Sequence, residues 1–148
     1  MSAGLRWSHA ALNCADQKAT EEFYHRWFGF ERARTVDLGD QQIVFLKQGQ
    51  VYLELFAAGA GEPLDVTKDG PSTAGTVRHL AFQTEDLTEF LSGLDEDVPV
   101  SLGPLSFDDF IPGWRSIWLT DPDGVVVEVS EGYRDDPSAH AHAHTHAH

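Results

Sequence analysis

Basic residues are scarce in this chain. Its 148 residues include ten lysines and arginines against 24 aspartates and glutamates, which gives a formal net charge of -14. A polyanion such as nucleic acid, or an anionic membrane surface, repels a protein of this charge. We therefore expect a small molecule, and neither nucleic acid nor a membrane, as the partner of this protein.

Cysteine and long apolar runs are scarce as well. Cys14 is the single cysteine, so no internal disulfide can form and a cytoplasmic, reducing location is expected. The apolar runs are much shorter than a membrane-spanning helix. With 41% hydrophobic residues the chain is nevertheless long enough to bury one proper core.

The C-terminal end has a composition of its own. Residues 134–148 finish in five histidines that alternate with alanine or threonine from His140 to His148. Such a segment cannot build a core, so we predict a disordered His-rich tail. A natural metal-binding tract and an expression tag both fit it.

The body, residues 1–133, consists of two halves with the same predicted order of elements. The first half, about 5–57, contains strands at 7–13, 30–37, 42–46 and 50–56, and a helix that begins after Asp16 and ends at Gly29. The second half, about 76–133, contains strands at 77–84, 98–106, 116–120 and 125–130, with a short helix after Asp86. Each half is predicted as a βαβββ module, and residues 58–75 form the linker.

A histidine and a glutamate recur at equivalent places in the two halves. His9 and His79 lie near the start of the first predicted strand of their halves, and Glu54 and Glu128 lie in the last. Each residue alone has an ordinary structural interpretation, as a solvated glutamate or a structural histidine. A carboxylate within an apolar strand is costly unless a cation or partner neutralises it. The recurrence therefore favours a divalent metal site made of two imidazoles and two carboxylates.

Several short motifs resemble one known family. They are Ser8-His9 with Asp16, Phe23-Tyr24 followed by Phe28-Gly29-Phe30-Glu31, His79-Leu80-Ala81-Phe82, and Asp121-Pro122-Asp123-Gly124 leading to Glu128. Together they resemble the vicinal oxygen chelate superfamily, which includes glyoxalase I, methylmalonyl-CoA epimerase, extradiol dioxygenases, and the fosfomycin and bleomycin resistance proteins. The resemblance implies an α+β fold in which two tandem βαβββ modules form a curled mixed sheet, an open cup around one metal ion.

The resemblance also implies the ligands. Glyoxalase-like members use His or Gln, Glu, His and Glu, which corresponds to the metal ligands His9, Glu54, His79 and Glu128 here. The implied cofactor is a divalent ion, with nickel, cobalt, zinc, manganese and iron all compatible. One position departs from the pattern, because Asn13 stands where glyoxalase I usually carries an arginine for glutathione. Glutathione is therefore not implied as the co-substrate.

The expected activity follows from that resemblance. A glyoxalase-like enzyme catalyses proton-transfer isomerisation or lyase chemistry on a small substrate with vicinal oxygens through an enediolate, with Glu128 as the general base and Glu54 as its partner. Two alternatives stay open. One is an Fe(II)-dependent dioxygenase that uses His9, His79 and Glu128, and the other is a non-catalytic protein that binds a small molecule or antibiotic. A homodimer is expected, and the four ligands can come from one chain or from two.

Overall fold

Two four-stranded mixed sheets carry the fold, and each belongs to its own unit. The computed structural model describes residues 4–61 and 68–139. The first unit comprises 4–61 together with 120–125, and the second comprises 68–119 together with 126–139. Each unit combines one sheet with one helix, which confirms the predicted α+β fold of two βαβββ modules. Of the predicted tail 134–148, residues 134–139 are described and exposed, and residues 140–148 lie outside the described residues.

The first unit contains five elements. They are β1 (His9–Cys14), α1 (Gln17–Phe28), β2 (Glu31–Asp37), β3 (Gln42–Gln48) and β4 (Val51–Ala57). The strand order is β1-β4-β3-β2, so the first strand lies beside the last. β1 runs parallel to β4, whereas β3 is antiparallel to both β2 and β4.

The second unit repeats that arrangement. Its elements are β5 (Leu80–Gln83), α2 (Leu87–Ser92), β6 (Val100–Ser106), β7 (Arg115–Thr120) and β8 (Val126–Glu131). The strand order is β5-β8-β7-β6, and β5 is parallel to β8. The first and last strands of the second module are therefore neighbours, as they are in the first module.

Local signals in the sequence account for the bounds of α1. The Asp16 side chain accepts hydrogen bonds from the backbone N–H groups of Lys18 and Ala19, which have no partner within the helix. At the other end Gly29 adopts a left-handed conformation with φ of 73°, and this ends the helix. The prediction of both helix ends is confirmed.

The two faces of the first sheet have different environments. Leu53 and Leu55 of β4 are buried, and α1 contacts β3 and β4. The intervening residues Tyr52, Glu54 and Phe56 are only partly buried. Because neighbouring residues of a strand point to opposite faces, one face forms the core with α1 and the other is left partly open. Glu54 lies on this second face.

β5 is shorter than the predicted strand 77–84. It begins at Leu80, and the backbone that precedes it contacts another segment of the second unit. A Cβ atom at Gly70 would overlap the carbonyl oxygen of Arg78, so the two backbones approach more closely than any other residue type would allow.

The Asp121–Gly124 turn belongs to the first unit although it connects β7 with β8. Asp121 accepts a hydrogen bond of 2.9 Å from the Tyr24 hydroxyl of α1, and both side chains are buried. Asp123 accepts from the Ala15 backbone N–H and from the Thr20 hydroxyl. Burial raises the pKa of Asp121, and hydrogen bonds from Val125, Tyr24 and Asp123 partly oppose that rise. The turn thus completes the packing around the start of α1.

We expect Tyr24→Phe to lower the free energy of unfolding by about 1.5–3 kcal/mol, because it removes a hydrogen bond to a charged, buried acceptor. Urea denaturation at pH 7 measures the effect. Tyr52→Phe is the matched control, since the Tyr52 hydroxyl makes no hydrogen bond to any residue that the structure describes. It should change stability by less than about 0.5 kcal/mol. Equal effects of the two variants would contradict this role of Tyr24.

His25, near the end of α1, is held by groups that stabilise its charged form. Its Nδ1–H donates to the Phe30 carbonyl at 2.8 Å, and Glu31 Oε1 lies 3.4 Å from the same nitrogen. The hydrogen bond to Phe30, followed by the charge of Glu31, raises the pKa of His25. His25 is thus a surface residue that stabilises the end of the helix.

A raised pKa in the folded state makes the contribution of His25 to stability depend on pH. The contribution is complete below the ordinary histidine pKa of about 6.5 and declines as pH rises through the higher folded value. We expect His25→Gln to lower the urea midpoint more at pH 5.5 than at pH 8.5. The difference between variant and parent isolates His25 from the other histidines, and a difference independent of pH would exclude this linkage.

Candidate metal centre

The first half-site lies on the open face of the first sheet. His9 is the first residue of β1 and is level with Tyr52 on the parallel strand β4. Glu54 is two residues further along β4, so it points to the same face. The His9 Nε2 atom lies 3.1 Å from Glu54 Oε1. The structure therefore brings this predicted pair together.

The second half-site has the same construction. His79 immediately precedes β5, in which Leu80 is level with Val127 of β8, so that residue 79 is level with residue 126. Glu128 is again two residues further along the last strand. The His79 Nε2 atom lies 2.9 Å from Glu128 Oε1. The two modules thus place a histidine and a glutamate at the same diagonal of a parallel strand pair.

Both carboxylates are largely removed from water. The side chains of Glu54 and Glu128 are only 16% and 15% exposed, and the strands that carry them are otherwise mostly apolar. The ring of Phe45 meets the His9 ring edge-on, with 5.8 Å between centroids. An ionised carboxylate in such surroundings needs a positive partner, and a protonated imidazole or a bound cation can supply one at this position.

The hydrogen bond on the far side of His79 fixes its tautomer. His79 Nδ1 lies 2.7 Å from the Asp69 carbonyl oxygen, and since a carbonyl only accepts, Nδ1 carries a hydrogen and donates it. Nε2 then faces the Glu128 carboxylate either with a second proton or with a lone pair directed at a cation. Metal-bound histidines typically donate their other N–H to a carbonyl in this way.

The corresponding contact of His9 is different. Its Nδ1 atom lies 2.8 Å from the Ser8 hydroxyl oxygen, and a hydroxyl can donate as well as accept. A neutral His9 can therefore accept from Ser8 and donate from Nε2 to Glu54. The first histidine is held less strictly than the second.

Ser116 is a site residue that the sequence did not reveal. It is fully buried on β7, and its hydroxyl donates to Glu128 Oε2 at 2.7 Å. Both oxygens of Glu128 are therefore engaged, one by His79 and one by Ser116. In the first unit Phe45 of β3 stands opposite Glu54 and offers no such donor. A serine among apolar residues in the segment Ser116–Thr120 was the available signal, but only the strand register connects it with Glu128.

Each half-site consists of two residues. Within each unit, no third histidine, cysteine, aspartate or glutamate among the described residues joins the pair to form a group that could hold a metal ion. The pairings of His9 with Glu54 and of His79 with Glu128 are observed, whereas a site of four ligands stays a prediction. Cys14 takes no part, because it is fully buried and burial raises its pKa, so that its thiol stays protonated.

In the described residues no helix is long and apolar enough to cross a membrane. Of the aromatic residues, Phe45 lies beside His9, while Trp118 is buried against Phe107 in the second unit, with 6.2 Å between ring centroids.

Solved structures with this fold include metal-binding proteins. A glyoxalase family protein from Enterococcus faecalis is 30% identical, with a TM-score of 0.67, and the match covers 85% of this chain and 97% of that one. A point mutant of the fosfomycin resistance protein FosX from Listeria monocytogenes, complexed with Mn(II) and 1S,2S-dihydroxypropylphosphonic acid, is 19% identical, with a TM-score of 0.67, and the match covers 96% of this chain and 100% of that one. At that identity FosX shows the fold alone.

The match at the level of sequence families covers nearly the whole body. No curated protein matches the chain significantly. The family model described as Glyoxalase/Bleomycin resistance protein/Dioxygenase superfamily matches residues 6–129, a range that contains both half-sites. The chain therefore belongs to the glyoxalase/bleomycin resistance protein/dioxygenase superfamily, also known as the vicinal oxygen chelate superfamily.

Proposed function

We propose that this protein is a metal-dependent, glyoxalase-like enzyme that catalyses proton-transfer isomerisation or lyase chemistry on a small substrate with two adjacent oxygens. One observation carries the proposal, namely the matching His–Glu pairs on equivalent diagonals of the two modules. The proposed ligands are His9, Glu54, His79 and Glu128. Two imidazoles and two carboxylates suit nickel, cobalt, zinc, manganese or iron.

The described residues fit such an ion. Because Nδ1 of His79 donates to the Asp69 carbonyl, Nε2 is free to give its lone pair to a cation beside Glu128. The low exposure of both carboxylates favours the same occupant, since a divalent cation would neutralise both. Mn(II) in FosX, a protein of the same fold, supports manganese as one of the candidates.

The chemistry divides between the ion and the two glutamates. When bound, a divalent ion supplies Lewis-acid polarisation of the two substrate oxygens. In the isomerisation one carboxylate takes a proton from one of the two oxygen-bearing carbons, the proton passes to the other carboxylate through the substrate oxygens, and that carboxylate returns it to the neighbouring carbon. Glu54 and Glu128 are the groups proposed for these two roles.

The hydrogen bonds favour an order for those roles. Glu128 has both oxygens engaged, by His79 and by Ser116. Glu54 contacts His9 through Oε1, and its Oε2 makes no hydrogen bond to the described residues. Glu54 can therefore accept a proton without first losing a bond. We propose Glu54 for the first step and Glu128 for the return, the reverse of the order that the family resemblance implies.

The pairing of Glu54 also bears on the alternatives. A dioxygenase site of His9, His79 and Glu128 leaves Glu54 without a role, yet Glu54 contacts its histidine just as Glu128 does. A protein that only binds a small molecule needs no pair of mostly buried carboxylates. Both observations favour the four-ligand enzyme. We also propose a homodimer, in which the four ligands come from one chain or from two.

We expect Glu54→Gln and Glu128→Gln each to weaken binding of the divalent ion by at least about 100-fold. Loss of a metal ligand should reduce the affinity more than loss of a residue that only hydrogen-bonds a ligand. The measurement is metal content and affinity for manganese, nickel, cobalt, zinc and iron. It uses a chain whose five tail histidines are replaced by alanine, so that the tail cannot bind the ion.

Glu22→Gln is the control for that experiment, because Glu22 is exposed on α1 and its loss changes the net charge equally. Unchanged affinity in both site variants would refute the four-ligand centre. If the parent contains air-sensitive iron, and Glu54→Gln retains that iron while Glu128→Gln loses it, the result would indicate the dioxygenase. A parent that binds no stoichiometric metal would indicate the non-catalytic binding protein.

We expect Ser116→Ala to weaken metal binding by about 10-fold, because Glu128 loses the hydrogen bond that orients it. Ser101→Ala is the matched control, since Ser101 on β6 donates to the Trp118 carbonyl and not to a glutamate. Urea denaturation shows whether the two variants are equally stable. A loss of metal affinity that is the same in both would assign Ser116 a purely structural role.

A further inference from the structure

A pocket adjoins the first half-site on the open face of the first sheet. It has a volume of about 390 Å³ and is lined by Ser8, His9, Ala33, Arg34, Phe45 and Tyr52. His9 belongs both to this pocket and to the proposed metal centre. A molecule that occupies the pocket therefore reaches the His9–Glu54 pair directly.

Strand register places Arg34 in line with Glu54. Glu54 on β4 is level with Phe45 on β3, and Phe45 is level with Arg34 on β2. Residues that are level across an antiparallel pair point to the same face, so all three side chains lie on the open face. Two strand spacings separate the backbones of Arg34 and Glu54, which is about 10 Å. That distance suits a small molecule with reactive oxygens at one end and another group at the other.

Arg34 has no negative partner in the part of the chain that the structure describes. Other arginines have such a partner: Arg32 pairs with Glu21, and Arg115 pairs with Glu131. The described residues that line the pocket include no aspartate or glutamate, which leaves the guanidinium free for an anion from solution.

The surroundings of Arg34 add to its suitability for an anion. Lys47 is level with Tyr52 across β3 and β4, and its Nζ atom lies over the Tyr52 ring at 5.6 Å from the centroid. A second positive charge thus lies beside the pocket. The Tyr52 hydroxyl can donate a hydrogen bond, and the ring of Phe45 covers apolar atoms. A guanidinium offers paired N–H groups that match the oxygens of a carboxylate, phosphate or phosphonate.

We propose that this pocket, the Arg34 pocket, is a subsite for an oxyanion group of the substrate. The proposal rests on the proposed function and narrows it. The substrate is then an anionic compound whose carboxylate, phosphate or phosphonate binds Arg34 while its two adjacent oxygens lie at the His9–Glu54 end. Neutral compounds with the same adjacent oxygens bind more weakly.

The test compares two probes that differ by one charged group. Glycerate has a hydroxyl beside a carboxylate, and 3-phosphoglycerate adds a phosphate at the far end. We expect the Mn(II)-loaded full-length protein to bind 3-phosphoglycerate at least about 10-fold more tightly than glycerate by titration calorimetry. Arg34→Gln should abolish most of that preference.

Arg32→Gln is the matched control, since it removes the same charge from the same strand but outside the pocket. It should retain the preference, and the tail is the same in every variant, so its contribution cancels. A preference that is equal in the Arg34→Gln variant and the parent overturns the subsite, as does an equal loss in both arginine variants. The urea midpoint of each variant confirms that the fold is intact.

The titrations are repeated in EDTA so that the two proposals fail separately. If the metal centre is wrong, Mn(II) has no effect on the affinity for glycerate, while the Arg34-dependent preference for 3-phosphoglycerate persists in both conditions. If the Arg34 pocket is wrong, Mn(II) strengthens glycerate binding and the two probes bind Arg34→Gln and the parent in the same ratio.

Discussion

Parallel pairing between the first and last strands of each module is the constraint on which the candidate site depends. It brings residues near the start of a module beside residues near its end, and the diagonal of the pair puts a histidine next to a glutamate. A slip of one residue in β4 would turn Glu54 into the core and Leu53 or Leu55 toward the open face. Burial of those leucines therefore secures the register that the site requires.

The two modules share a backbone plan but surround their glutamates differently. Opposite Glu54 stands Phe45, which offers the carboxylate no hydrogen bond and forms a wall of the Arg34 pocket. Glu128 instead receives the hydroxyl of Ser116. The third strand of each module thus carries the difference: Ser116 orients the Glu128 carboxylate, whereas Phe45 leaves the Glu54 carboxylate freer to move. Repetition of a module supplies the ligands, and divergence of their neighbours supplies distinct roles.

Part of the fold and of the site follows from local sequence. The alternation in Gln50–Phe56, the N-cap Asp16 and the terminating Gly29 predict β4 and α1, since each signal acts within a few residues. The Asp121–Gly124 motif predicts a turn, but its contact with Tyr24 joins residues far apart in the chain. β5 begins at Leu80, later than in the predicted strand 77–84, and the close approach of Gly70 to Arg78 just before it has no signature in the strand itself.

The sequence by itself determined the module order and the two His–Glu pairs, because hydrophobic period and repetition report which residues share a strand and a face. Only the tertiary structure decided which groups surround those pairs. The bond from Ser116 to Glu128, the donation from His79 to the Asp69 carbonyl and the place of Arg34 beside Phe45 all depend on contacts between distant segments. Such contacts are set by strand register and loop path, which local patterns do not encode.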